Sequence, residues 1–204
     1  MLGDQALEKL LRDYEFETVL DIGSGKGEQA EVMRAAGKRV TTLDRDPIVD
    51  ADICLTVGDD HLDLTGFPDD VIWCCHALEH CRNVEKFLDD IWQFWCSNHT
   101  YSFDDHPGIL AITVPPFRQV VPGHVTAWNA GLLLYNLVLA GFDCSNAAVK
   151  TYGYNISVIV ERSPHTEATA HQPLTELAHF FPVPLTGERP KLGVLPTDID
   201  EVNW

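Results

Sequence analysis

Basic side chains are scarce: 14 Lys and Arg stand against 31 Asp and Glu in 204 residues, a formal net charge of -17. A surface of that sign repels phosphate backbones, so nucleic acid is excluded as a partner unless a local basic patch outweighs the whole. Long apolar runs are also missing. Nothing approaches the roughly 20 residues that a bilayer-spanning helix needs, mean hydropathy is -0.07, and no membrane association is expected. The opening MLGDQALEKL has no basic stretch followed by an apolar one, which predicts no export signal and a cytosolic chain. A disulfide framework is lacking too, because the six cysteines fall mostly in apolar segments and two of them, Cys74 and Cys75, are adjacent. At 45% hydrophobic and 22% charged, the chain can bury one sizeable core but not two.

The hydrophobic pattern alternates between two periods. Ala6, Leu7, Leu10 and Leu11 recur at helical spacing over 4–14, and residues 18–22 then read as a buried strand. A glycine-rich turn at 23–27 opens a second helix that Gly37 closes, and 39–44 is the next strand. Residues 53–57, 71–75 and 109–114 predict three further strands, with helices over 84–95 and 127–140. Residues 147–152 and 156–161 flank Gly153, Tyr154 and Asn155 as a hairpin. Strands alternating with helices predict a Rossmann-like α/β fold: a three-layer αβα sandwich with a mostly parallel seven-stranded sheet ending in an antiparallel hairpin. In such a sheet the ligand sits at the carboxyl ends of the central strands. The domain is expected over 1–162. Residues 163–204 carry prolines at 164, 173, 182, 184, 190 and 196 and form a tail. Its Leu174, Leu177, Phe180 and Phe181 favour packing against the core, near the acceptor pocket as a lid, or against a second subunit in a homodimer. The alternative is a solvated extension.

Gly23 and Gly25 allow backbone to approach a ligand closely, and the helix that follows offers free N–H groups to an anion. Asp21 at the preceding strand end favours a cationic or hydrogen-bond-donating group beside that anion. Asp44 ends the second strand, where a carboxylate can accept both hydroxyls of a ribose. Together these features describe a nucleoside with an amino-acid tail.

Residues 19–27, Val-Leu-Asp-Ile-Gly-Ser-Gly-Lys-Gly, resemble the first motif of class I S-adenosylmethionine-dependent methyltransferases, and Leu43-Asp44 resembles the second. Residues 70–80 end in His-Ala-Leu-Glu-His and are similar to the fourth-strand motif of the small-molecule branch of that family. The resemblance spans about 16–161. It implies S-adenosylmethionine as cofactor, with S-adenosylhomocysteine as product. Asp21, Gly23 and Gly25 would lie at the methionyl end, Asp44 at the ribose and Asp59 or alternatively Asp60 at the adenine amino group, with Ser24, Arg45 and Cys75 also binding the cofactor. The segment between the second and third strands is too short for the family's usual helix. A dehydrogenase is the rival for the glycine loop, but its fingerprint asks for Gly or Ala where Glu28 stands.

Methyl transfer from a sulfonium is an in-line displacement that rests largely on holding acceptor and methyl together in a dry site. A hydroxyl acceptor benefits from a base of near-neutral pKa, for which His76 and His124 are the candidates. A small-molecule or sugar acceptor is expected, since the motifs of base-methylating enzymes are missing after the fourth strand. Phe117, Arg118, Gln119, His124, Trp128 and Asn129 offer an aromatic face with hydrogen bonders. Cys74, Cys75, His76, His80 and Cys81 invite a metal reading, but adjacent strand residues face opposite ways and no metal site is expected. A non-catalytic relative of the fold that binds cofactor or a partner subunit is the second reading.

Overall fold

The computed structural model describes residues 1–56, 70–97, 108–186 and 193–204. Helix α1 (Asp4–Asp13) leads into strand β1 (Thr18–Ile22), α2 (Glu28–Ala35) and β2 (Arg39–Asp44). The chain continues through β3 (Ile53–Cys54), β4 (Val71–Cys75), α3 (Val84–Ser97), β5 (Ile109–Val114) and α4 (Ala130–Leu139). Strands β6 (Ala148–Tyr152) and β7 (Asn155–Glu161) follow, then the single-turn α5 (Leu174–Leu177) and β8 (Glu201–Val202). The sheet runs β3-β2-β1-β4-β5-β7-β6-β8. Neighbours from β3 to β5 are parallel, and the pairings of β7 with β5, of β6 with β7 and of β8 with β6 are antiparallel.

The central strands β1, β4 and β5 are buried at every position, as expected of a sheet covered on both faces. One face meets α1 and α2, where Ala6, Leu7, Leu10 and Met33 pack on Val19, Trp73 and Ala111. The other meets α3 and α4, where Phe87, Ile91 and Leu133 pack on Leu20, Ile72 and Ile112. Alternation divides the cysteine pair accordingly. Cys74 joins the α3 and α4 side, and Cys75 the α1 and α2 side.

Two features depart from the simple pattern. Between β2 and β3 the residues form no helix. Asp52 replaces it as a clamp, accepting hydrogen bonds from the Thr42 N–H and hydroxyl at 2.8 Å each, while its own N–H donates to that hydroxyl. These donors hold the Asp52 carboxyl below its ordinary pKa. The sheet also gains an eighth strand where seven were expected. Two residues are too few to carry a period, so β8 has no signature in the sequence.

The tail runs over α4 before reaching β8. Thr166 donates to the carbonyls of Gly141 and Val138, and the Ala130 N–H donates to Thr197. Leu177, Phe181, Leu195 and Ile199 are buried in the larger core cluster. Leu177→Ala should therefore cost about 2–5 kcal/mol, read as a lower urea midpoint at unchanged slope.

Candidate functional site

A cleft of about 360 Å³ opens at the carboxyl ends of β1, β2 and β4, within the size range of small-molecule sites. Gly23, Gly25, Asp44 and Arg45 form one wall, and Leu55, Phe87 and His80 lie on others. The glycine loop is tied to β2, since the N–H groups of Gly23 and Ser24 both donate to the Leu43 carbonyl. Gly23 has φ +76°, and a Cβ there would lie 2.4 Å from that of Ala77. Only glycine lets the loop and the turn after β4 close on each other. The Gly25 N–H donates to Asp44 Oδ2 at 2.8 Å, and the Asp46 N–H to Oδ1 at 2.9 Å. With each oxygen taking one N–H, lone pairs remain for a diol.

Asp21 lies under this loop, 1% exposed, with Oδ2 unpartnered among the described residues. Burial pushes its carboxyl up to about 7. The Arg34 charge opposes that shift and Asp44 adds to it. The Ser24 hydroxyl is likewise buried and unpartnered among the described residues. The Cys75 side chain points away from the cleft, accepting from Gln29 Nε2 at 3.1 Å beneath Gly3. Strand alternation sends it into the α1 and α2 layer, and burial pushes its thiol up to about 12. Asp59 and Asp60 lie outside the described residues.

The turn after β4 carries three further polar groups. His76 sits in left-handed backbone at φ 55°, uncommon for a residue with a side chain. Its ring is fixed by Asn155, whose Oδ1 accepts from the Gly3 N–H at 3.1 Å and from His76 Nε2 at 3.0 Å, while its Nδ2 donates to the Tyr152 carbonyl. Because Oδ1 can only accept, Nε2 carries a proton, and in the neutral ring Nδ1 holds the lone pair. That atom lies 3.3 Å from Oε1 of Glu79. Glu79 is 0% exposed, and neither carboxylate oxygen is hydrogen-bonded among the described residues. His80 follows, with Nδ1 2.8 Å from the Gly123 carbonyl and Nε2 4.0 Å from Glu79 Oε1.

A second cavity of about 150 Å³ adjoins this turn, lined by Phe117, Gln119, His124, Trp128 and Tyr154 among others. The rings of His80 and His124 meet edge to face with centroids 5.0 Å apart, and Tyr154 approaches His76 at 6.0 Å. The histidine cluster thus stands between the two cavities. Of the other polar residues expected near an acceptor, Asn129 instead caps α4 through the Leu132 N–H, and Arg118 donates to the Gly153 carbonyl. Glu79, His80 and Asn155 were not among the expected site residues. Glu79 and His80 lie on a 3-10 turn, Leu78–His80, that begins two residues after His76, and the His-x-x-Glu-His spacing is the signal that could have pointed to them.

Residues 20–98 match the family model described as a methyltransferase domain. Among solved structures, a SAM-dependent methyltransferase from Archaeoglobus fulgidus aligns with a TM-score of 0.53 at 16% identity, covering 78% of this chain and 94% of that one. The fold is that of the S-adenosylmethionine-dependent methyltransferases. A 1,6-didemethyltoxoflavin-N1-methyltransferase from Burkholderia thailandensis, solved with bound 1,6-didemethyltoxoflavin and S-adenosylhomocysteine, aligns with a TM-score of 0.52 at 16% identity over 72% of this chain and 71% of that one. A putative methyltransferase from Haloferax volcanii, solved in complex with the activator Trm112, aligns at 0.54 and 16% identity over 82% and 90%. A search of curated proteins finds no match.

The buried Asp21 gives a prediction about pH. The folded chain keeps a proton that the unfolded chain releases above about pH 3.8. This group's contribution to stability is therefore full below that value and falls as pH rises toward 7, by at most about 1.4 kcal/mol per pH unit. Asp21→Asn should flatten this part of the stability profile and raise the melting temperature relative to wild type at pH 8. Thermal melts of both proteins across pH 4–8 check it, and parallel profiles would contradict the assignment.

Proposed function

We propose that the chain is an S-adenosylmethionine-dependent methyltransferase that transfers a methyl group to a hydroxyl of a small-molecule or sugar acceptor. The observation that carries the cofactor part is the wall formed by Gly23, Gly25 and Asp44 at the carboxyl ends of β1 and β2. It combines a carboxylate with lone pairs for a ribose diol and a loop that backbone can share with a methionyl tail. Asp21 then has a role, because a ligand ammonium beside it would draw off the proton that burial retains. Asp59 or Asp60 remains the proposed partner of the adenine amino group.

The acceptor part rests on the second cavity, where aromatic faces and a neutral amide meet the histidine cluster. His76 has Nε2 engaged by Asn155, so activation of the hydroxyl falls to His124, whose ring stands at the boundary of the two cavities. His76 serves the turn that holds the cluster. The remaining acceleration comes from proximity and exclusion of water.

Calorimetry with S-adenosylmethionine and S-adenosylhomocysteine should show micromolar binding of both. Asp44→Ala should weaken each by about 1.5–3 kcal/mol, as for hydrogen bonds to a charged group. Tight NAD binding with no binding of either sulfur nucleoside would refute this reading.

Loss of His124 should act on turnover rather than on the cofactor. With a labelled methyl donor and a metabolite pool to identify the acceptor, His124→Ala should lower turnover about 100-fold or more and leave S-adenosylhomocysteine affinity nearly unchanged. Equal turnover in the variant and wild type would remove His124 from the reaction.

A further inference from the structure

Glu79 presents a physical problem that methyl transfer does not solve. Its carboxylate is completely buried, and neither oxygen is hydrogen-bonded among the described residues. A buried carboxylate without partners costs several kcal/mol unless a cation or proton meets it. The nearest polar atoms make matters worse. Asn155 fixes the His76 tautomer, so the atom 3.3 Å from Glu79 Oε1 is a lone-pair nitrogen in the neutral ring. A second ring is oriented in the same sense. The Gly123 carbonyl can only accept, so His80 Nδ1 carries the proton and Nε2 turns its lone pair toward Glu79 at 4.0 Å. With both rings neutral, two lone pairs and the carboxylate converge on one spot, which a cation would satisfy.

Two of these groups, Glu79 and His80, form the composition of a metal centre together with His124 from the loop after β5. One ligand atom each from Glu79, His80 and His124 lies within 4.8 Å of the others. We propose that Glu79, His80 and His124 bind a divalent first-row transition-metal cation of the Zn²⁺ type between the two cavities. One carboxylate and two imidazoles form a ligand set that such ions favour, and they leave coordination positions open. The supporting shell is present, since a ligating histidine typically donates its other nitrogen to a backbone carbonyl, as His80 does to Gly123. Gly123 has φ +89°, a conformation that glycine adopts freely. The loop can therefore turn its carbonyl to one histidine while its next residue supplies the other.

The cysteines take no part. Cys74 is buried in the α3 and α4 layer and Cys75 in the α1 and α2 layer, so the reason for discounting a cysteine site stands. What strand geometry could not reveal is His124, which arrives from the loop after β5. On a tetrahedral ion with bonds of about 2.1 Å, ligand atoms lie about 3.4 Å apart, so binding draws the triad together. On the function proposed above, an acceptor hydroxyl reaching such an ion would become more acidic, and His124 would then act on it through the ion instead of as a free base.

Metal binding can be tested without any turnover. Tag-free protein, stripped with a chelator and dialysed, is titrated with Zn²⁺ by calorimetry and with Co²⁺ by visible absorption, alongside His124→Ala and Glu79→Gln. Wild type should bind one equivalent, give a Co²⁺ spectrum of low coordination number, and melt at higher temperature with Zn²⁺. His124→Ala, a loop change that spares the core, should lose at least the 10–100-fold in affinity that even an outer-shell partner is worth, together with the thermal shift. Glu79→Gln should do the same if it folds. Absence of a stoichiometric site in wild type, or equal Zn²⁺ affinity and Co²⁺ spectra in wild type and His124→Ala, would overturn the proposal. Binding of S-adenosylhomocysteine is measured on the same samples, so failure of the metal site and failure of the cofactor reading are told apart.

Discussion

The Asn155 side-chain amide joins parts of the chain that are far apart in sequence. Its oxygen accepts one hydrogen bond from the Gly3 N–H at the start of α1 and one from the His76 ring after β4, and its nitrogen donates to the Tyr152 carbonyl across the β6–β7 turn. The amide is 6% exposed, so these bonds form away from competing water. Such a network orients its members as a unit. Here it sets which His76 nitrogen faces Glu79, and it ties the antiparallel end of the sheet to the cleft between β1 and β4.

Around that tie the molecule separates two kinds of polar burial. Asp44 is half-exposed, and its oxygens are served by backbone N–H groups. Asp21 and Glu79 are sealed beneath the turns that line the cleft, with Asp21 Oδ2 and both Glu79 oxygens unserved among the described residues. Native proteins leave few buried polar atoms unpaired, and here two such carboxylates stand behind the walls of one cleft. The glycine loop, the fourth-strand turn and the loop after β5 thus converge around carboxyl groups that the hydrogen bonds of the described residues do not satisfy.

Much of this was legible in the sequence. Strands β1, β4 and β5 announce themselves because sheets buried on both faces need continuous apolar runs, and α1 and α3 because one helical face must be apolar. Gly23 and Asp44 could be placed because a loop and a strand end are local features. The missing helix before β3 could be inferred from chain length alone. Contacts made across the chain were less legible. Asn155 reads only as a turn residue, and nothing near His80 indicates that Gly123 and His124 will reach it across more than forty positions. The family resemblance set Cys75 beside the cofactor, whereas pleating turns its side chain to the opposite layer. The tail showed its apolar residues but not their destination, because its packing on α4 follows no period.

The backbone at His76 carries a consequence of its own. With φ at 55°, the peptide after β4 reverses direction in a single residue, which lets Ala77 meet Gly23 while the His76 N–H still reaches the Thr113 carbonyl on β5. The conformation disfavours β-branched side chains most strongly and is tolerated best by glycine, asparagine, aspartate and histidine. The range of residues that position 76 can host is therefore limited by the direction of the main chain before any chemistry is considered. Within that short menu, histidine is the member that brings an aromatic ring with two nitrogens of distinct roles.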